Sequence, residues 1–106
     1  MKEKLDSLIK KYSNKVLPYI RYYDYFIKLN DQESALIILE ECTKKAKPES
    51  IKEYSELVTL MHDNSINLDL QKQYIKEVYM RKSEDFRFIK KIEELYEKII
   101  KPKNVS

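Results

Sequence analysis

An all-α fold follows from three features of this sequence. It holds no glycine and only three prolines in 106 residues, whereas a β-sandwich or barrel needs many tight turns whose positive φ glycine supplies without steric cost. Its large apolar residues recur at helical spacing, as in Ile51, Tyr54, Leu57, Val58 and Met61. Short polar stretches rich in cap-forming residues separate these stripes. The expectation is five or six short antiparallel helices, arranged either as a stack of helical hairpins or as a compact bundle. They would form one domain over residues 1–101, followed by a frayed tail at 102–106.

Each element has its own justification. Leu5, Leu8, Ile9 and Tyr12 predict a first helix from Lys2 to Ser13. Pro18 lacks an N–H and suits a first turn, so the second helix is placed from Val16 to Leu29. On it Tyr19, Tyr22, Tyr23 and Phe26 share one face, while Tyr25 lies off that face at roughly 100° per residue. "NDQE", Asn30 to Glu33, pairs a cap-forming residue with a glutamate three later and predicts a third helix from Asp31 to Ala46. "KPES" opens a fourth helix with Pro48 in its first turn, ending at the polar stretch His62 to Asn67. A fifth helix is expected from Leu68 to Arg81. "RKSED" then reads either as a break with Ser83 as cap or as a polar turn within one long helix. The last helix is placed from Glu84 to Lys101, where Pro102 stops it.

Composition narrows the function classes. Net charge is +3, from 21 basic and 18 acidic residues, and the signs are interspersed rather than gathered into the stripe usual for nucleic-acid binders. The single Cys42 excludes an intramolecular disulfide. The amino-terminal "MKEKLDSLIKKY" has no apolar core of a secretory leader, and the longest apolar run, Ala35 to Leu39, is far too short to span a membrane. A cytoplasmic protein without membrane contact is the expectation.

The ring stripe repeats. Adding 35 to Tyr19, Tyr22 and Phe26 gives Tyr54, Leu57 and Met61, and adding 35 again gives Ile89, Ile92 and Tyr96. The same shift carries Ala35 to Leu70 and Leu39 to Tyr74, but takes Cys42 to Glu77. Residues 16–49 resemble a tetratricopeptide repeat, whose period is 34 residues. Tyr19, Tyr22 and Phe26 stand at the family's large positions of the first helix, Ala35 at its alanine, Leu39 and Cys42 at the following aromatic and small positions, and Pro48 beside its closing proline. Two positions depart from the pattern. Tyr23 replaces a small residue, and Asn30 replaces the turn glycine, although asparagine tolerates the left-handed conformation.

The resemblance implies a binding face along the first helix of each hairpin. Here that means Ile20, Asp24, Ile27 and Lys28, then Ser55, Thr59 and His62. The lysine and asparagine with which some members hold a peptide carboxylate are not matched, because Ile20 and Asp24 occupy those places. Tyr25 joins this set on helical geometry alone. Exposed Tyr25, Ile38 and Phe88 would suit a dimer patch.

No constellation for chemistry stands out. A metal site needs several ligands, and His62 is the only histidine. Without glycine there is no glycine-rich phosphate loop. Glu93, Glu94 and Glu97 lie among lysines as a charge-paired face, with Glu94–Lys98 and Glu97–Lys101 in the favourable order. No cofactor, metal or catalytic residue is expected, and the reading is a non-enzymatic module that binds another protein or peptide. The alternatives are nucleic-acid binding through Lys10, Lys11 and Lys15 or through Arg81, Lys82, Arg87, Lys90 and Lys91, and an immunity-type helical bundle that binds an inhibitor. The oligomeric state is left open.

Overall fold

The computed structural model describes residues 2–101; they form six α-helices linked by short turns, with no strand among the described residues. The all-α class is therefore established. Contacts in space group the chain into two compact units, Met1–Pro48 and Glu49–Ser106. The tail expected at 102–106, with Pro102 as the stop, lies outside the described residues.

In the first unit α1 spans Lys2–Lys11, α2 Val16–Lys28 and α3 Gln32–Lys45. The first helix stops short of Ser13. Leu5 is its one buried residue, and Tyr12 falls beyond the helix with its ring exposed instead of on the apolar face. Lys15 precedes α2 in extended conformation, and Pro18 sits in the first turn, where N–H groups have no intrahelical partner. The α2–α3 turn is a Schellman motif. Asn30 donates its N–H to Ile27 O at 3.0 Å and Asp31 donates to Phe26 O at 2.9 Å. Asn30 occupies the left-handed region with φ of 58°. The cap itself is Asp31, whose carboxylate accepts the Ser34 N–H at 3.1 Å; hydrogen bonding to the Ser34 side chain, then to its N–H, holds it below the usual carboxylate range. The "NDQE" signature thus divides its labour: Asn30 turns the chain and Asp31 caps the helix. The buried residues Val16, Tyr19, Tyr22 and Tyr23 of α2 and Ala35, Leu39 and Cys42 of α3 belong to the hairpin these two helices form.

In the second unit α4 spans Ile51–Asp63, α5 Leu68–Met80 and α6 Ile89–Ile99. Pro48 stays outside α4. Ser50 caps it by accepting the Glu53 N–H at 3.2 Å, and the Glu53 carboxylate reaches back to the Glu49 N–H at 3.2 Å. This reciprocal arrangement satisfies two backbone donors at the helix start. His62 and Asp63 belong to the helix rather than to the loop. A second Schellman motif ends α4, with Ser65 left-handed (φ of 55°) and the Ile66 N–H on Met61 O at 2.9 Å. Asn67, also left-handed, then caps α5 by accepting the Leu70 N–H at 3.1 Å.

Two 3-10 turns, Lys82–Glu84 and Phe86–Phe88, separate α5 from α6. The last helix therefore begins at Ile89 rather than Glu84, and it is not continuous with α5. Asp85 causes the break. Its backbone is extended (φ of −144°) and its side chain accepts the Arg87 N–H at 3.2 Å, so Asp85 caps the 3-10 turn Phe86–Phe88, while α6 itself starts after Phe88 without the side-chain cap expected from Ser83.

The hairpins repeat with the spacing read from the rings. Val16–Lys28 and Ile51–Asp63 are both 13 residues long and lie 35 residues apart at each end. The turns differ by one residue: Asp31 caps α3, whereas Ile66 intervenes before the cap Asn67. Beyond that turn the register becomes 36. Ala35, Leu39 and Cys42 then correspond to Gln71, Ile75 and Val78, and all six are buried. The mismatch of Cys42 with exposed Glu77 comes from this inserted residue. The third copy is not a match of faces, since α6 buries Ile92, Leu95 and Ile99 and leaves Ile89 and Tyr96 half-buried.

Candidate functional site

The tyrosine-rich face of α2 is committed to structure. Tyr19, Tyr22 and Tyr23 are buried. The Tyr19 hydroxyl donates to Ser13 O at 2.8 Å, and the Tyr22 hydroxyl donates to Asp6 Oδ1 at 2.7 Å, tying α2 to α1. Burial, then the hydrogen bond to Asp6, pushes the Tyr22 phenol up to about 12. Tyr54 of α4 repeats the device on Glu77 of α5, with its hydroxyl 3.0 Å from Oε2, and burial followed by that bond also lifts it to about 12. Burial raises Tyr19 as well, helped by the negative charge of Glu41.

Opposite this face lies a different set of residues. At about 100° per residue, Leu17, Arg21, Asp24 and Lys28 fall within roughly 60° of one another on the side away from Tyr19, Tyr22 and Phe26. All four are exposed. Ile27 flanks them at 38% exposure. Tyr25 flanks the other side, half-buried in a ring cluster: its centroid is 6.2 Å from Tyr22 and 5.5 Å from Phe26, and Tyr22 and Phe26 stack at 4.7 Å.

Of the residues singled out from sequence, α2 therefore presents Asp24, Ile27 and Lys28 together, with Tyr25 at their margin. Ile20 is buried. On α4, Ser55 is buried and its carbonyl accepts the Thr59 hydroxyl at 2.6 Å. Thr59 and His62 are half-buried. Tyr25, Ile38 and Phe88, expected as an exposed dimer patch, are each half-buried. Exposed apolar side chains stand elsewhere, at Leu17, Leu29, Ile37, Leu68, Met80 and Phe86. Leu17 carried a readable signal, one turn before Arg21 on the outer stripe. Phe86 did not, because its exposure depends on the break at Asp85.

Electrostatics on the second unit are largely self-contained. Arg81 Nε lies 3.2 Å from Glu84, Lys82 Nζ 2.7 Å from Glu93 and Arg87 Nη2 2.9 Å from Asp85. Lys82 also rests 4.0 Å over the Tyr79 ring, which stacks on Tyr96 at 4.1 Å. Glu93 thus pairs across to the 3-10 turn, and Lys101 lies over Tyr96 at 5.9 Å. Among the described residues no group of three or more His, Cys, Asp or Glu side chains is placed to hold a metal ion, and no helix is long and apolar enough to cross a membrane. No protein-family model, curated protein or solved structure matches this chain.

Proposed function

We propose that this chain is a non-enzymatic helical module that binds another protein or peptide through the outer face of α2. The observation that carries the reading is the division of that helix. One side is filled by Tyr19, Tyr22 and Tyr23, while Leu17 and Ile27 remain exposed beside Arg21, Asp24 and Lys28. Apolar side chains bordered by mixed charge are the composition of a modest protein interface. The resemblance of residues 16–49 to a tetratricopeptide repeat supports a regulatory role and implies Asp24, Ile27 and Lys28 as contacting residues.

Nucleic-acid binding has less support. Three of the five basic residues that would form the carboxyl-terminal basic face, Arg81, Lys82 and Arg87, are already paired with carboxylates. Releasing them for phosphate contacts would break those pairs. Lys10, Lys11 and Lys15 are exposed, so they define the remaining test of that alternative.

Leu17→Glu and Ile27→Glu change exposed positions and should leave helical circular dichroism intact. Capture from the native cell with wild type should yield one stoichiometric protein, and both variants should lose it. Retention by both variants, or recovery of nucleic acid alone in a form lost between about 0.05 and 0.2 M salt, would refute the reading.

A further inference from the structure

The lysines of the first unit gather at one end. The first two helices run antiparallel, since the Tyr22 hydroxyl reaches Asp6 and the Tyr19 hydroxyl reaches Ser13 O. From the tight turn at Asn30 the third helix returns beside α2, and its last turn comes back to the same phenol, where Tyr19 feels both Glu41 and Lys45. The end of α1, the start of α2 and the end of α3 therefore lie together. They bring with them Lys10, Lys11, Lys15, Lys44, Lys45 and Lys47, all exposed. Against these ammonium groups stand Glu40 and Glu41, with Glu49 next along the chain, and Glu41 is already paired with Lys45. Toward the opposite end the balance reverses, with Glu3, Asp6, Asp24, Asp31 and Glu33 against Lys2, Lys4 and Lys28. Helix stability accounts for part of this, because cations suit the last turns of α1 and α3. It does not account for Lys15. That residue stands at the N-cap of α2 without a side-chain cap bond, and the first turn holds no acidic residue, whereas α3, α4 and α5 each begin with a side-chain cap and an acidic residue.

We infer that the protein partner of the α2 face is acidic where it meets this chain: a segment rich in Asp and Glu lies over the lysine end while apolar side chains beside it meet Leu17. This deepens the α2 reading and rests on it. The two surfaces are continuous, because exposed Leu17 follows Lys15 by two residues and precedes exposed Arg21 by about one turn. Charge complementarity names the occupant. An extended phosphate backbone, with one charge per roughly 1.7 Å of duplex, has no track to follow, since the positive region is confined to one end and the same unit turns acidic toward the other. Arg21 is the only arginine of residues 1–48, so the forked guanidinium favoured for phosphate recognition is scarce there. Carboxylates spaced along a protein segment match single ammonium charges, and the apolar contact at Leu17 gives that segment a direction.

The test places a photoreactive benzoyl-phenylalanine at position 12 of the full chain in the native cell, with the same probe at position 27 as a separate arm for the α2 reading. Tyr12 is 40% exposed, with Lys11 5.5 Å over its ring, so the probe replaces an aromatic side chain already at that surface. The cross-linked peptides are sequenced. The captured protein is then purified and its affinity measured for wild type and for the triple variant Lys10→Gln, Lys11→Gln and Lys44→Gln, with unchanged helical circular dichroism verifying the fold. The expected result is one protein captured from both positions, attached at position 12 through a stretch rich in Asp and Glu. The triple variant should bind at least ~5-fold more weakly, mostly through slower association, and its affinity should depend less on salt between ~0.1 and ~0.5 M than that of wild type. A smaller loss in the triple variant, an attached stretch without acidic excess, or nucleic acid or lipid alone at position 12 would each overturn the inference. Any of these with a protein still captured from position 27 leaves the α2 reading standing, whereas no protein from position 27 overturns both.

Discussion

The phenol of Tyr22 shows how single side chains hold the helices in place. Its ring is buried, and its hydroxyl reaches Asp6 of α1; Tyr54 does the same with Glu77 of α5. Both bonds need the phenol protonated. Their folded values stand near 12 against an ordinary 10.0, so the stabilisation is complete below pH 10 and is lost as pH rises through 12. Denaturant titrations should therefore show stability falling across that window, with a shallower fall in Tyr22→Phe and Tyr54→Phe. At neutral pH each variant should lose about 1 kcal/mol for its hydrogen bond. An unchanged alkaline slope in both variants would show that these two phenols are not the groups titrating. Asn30 works differently, through its backbone. Its left-handed φ of 58° disfavours a β-carbon, so Asn30→Ala should lower stability by roughly 1 kcal/mol, while Asn30→Gly should be neutral or better in thermal melts.

At the scale of elements, what was legible in the sequence were features set by local chemistry. The helical class of every stripe follows from spacing alone, and the start of α2 at Val16 follows from Pro18. Pro18 needed only the rule that a first turn tolerates a missing N–H. Features decided by competition between neighbours were harder to read. Asn30 and Asp31 are both cap-formers, and tertiary geometry gave the turn to one and the cap to the other. Ser83 is the expected cap, but the chain is extended at Asp85, which caps a 3-10 turn and grips Arg87 through two bonds, and α6 begins only after that turn. That choice moved the start of α6 to Ile89 and put Phe86 outside the helix, fully in view of solvent. On the candidate surface, the resemblance to a tetratricopeptide repeat singled out Asp24, Ile27 and Lys28, which are exposed and lie off the ring stripe. It could not show that Ile20 is buried, because burial depends on what lies beside the helix as well as on its angle.

For the whole molecule, a domain of this size is held by a margin of about 5–15 kcal/mol. Leu57 is completely buried on α4, and truncating a buried leucine to alanine costs about 2–5 kcal/mol. Leu57→Ala should thus remove a large share of the stability, seen as a lower denaturation midpoint with an unchanged slope. Charge is unevenly placed along the chain: ten basic and seven acidic residues precede Glu49, whereas the remainder has eleven of each. The net +3 lies entirely in the first part, so any salt-dependent attraction should weaken when Lys10, Lys11 and Lys15 are neutralised and respond little to changes near Arg87. The extra residue in the α4–α5 turn acts at this scale too. Excising Ile66 would screw α5 backward by about a hundred degrees, at 3.6 residues per turn. The places now taken by Gln71 and Ile75 would then fall to Lys72 and Lys76. Two ammonium groups would be forced out of water, and the shortened chain should emerge without cooperative melting. One residue in a bend, which touches neither proposed contact surface, thus determines whether the latter half of this polypeptide has an interior at all.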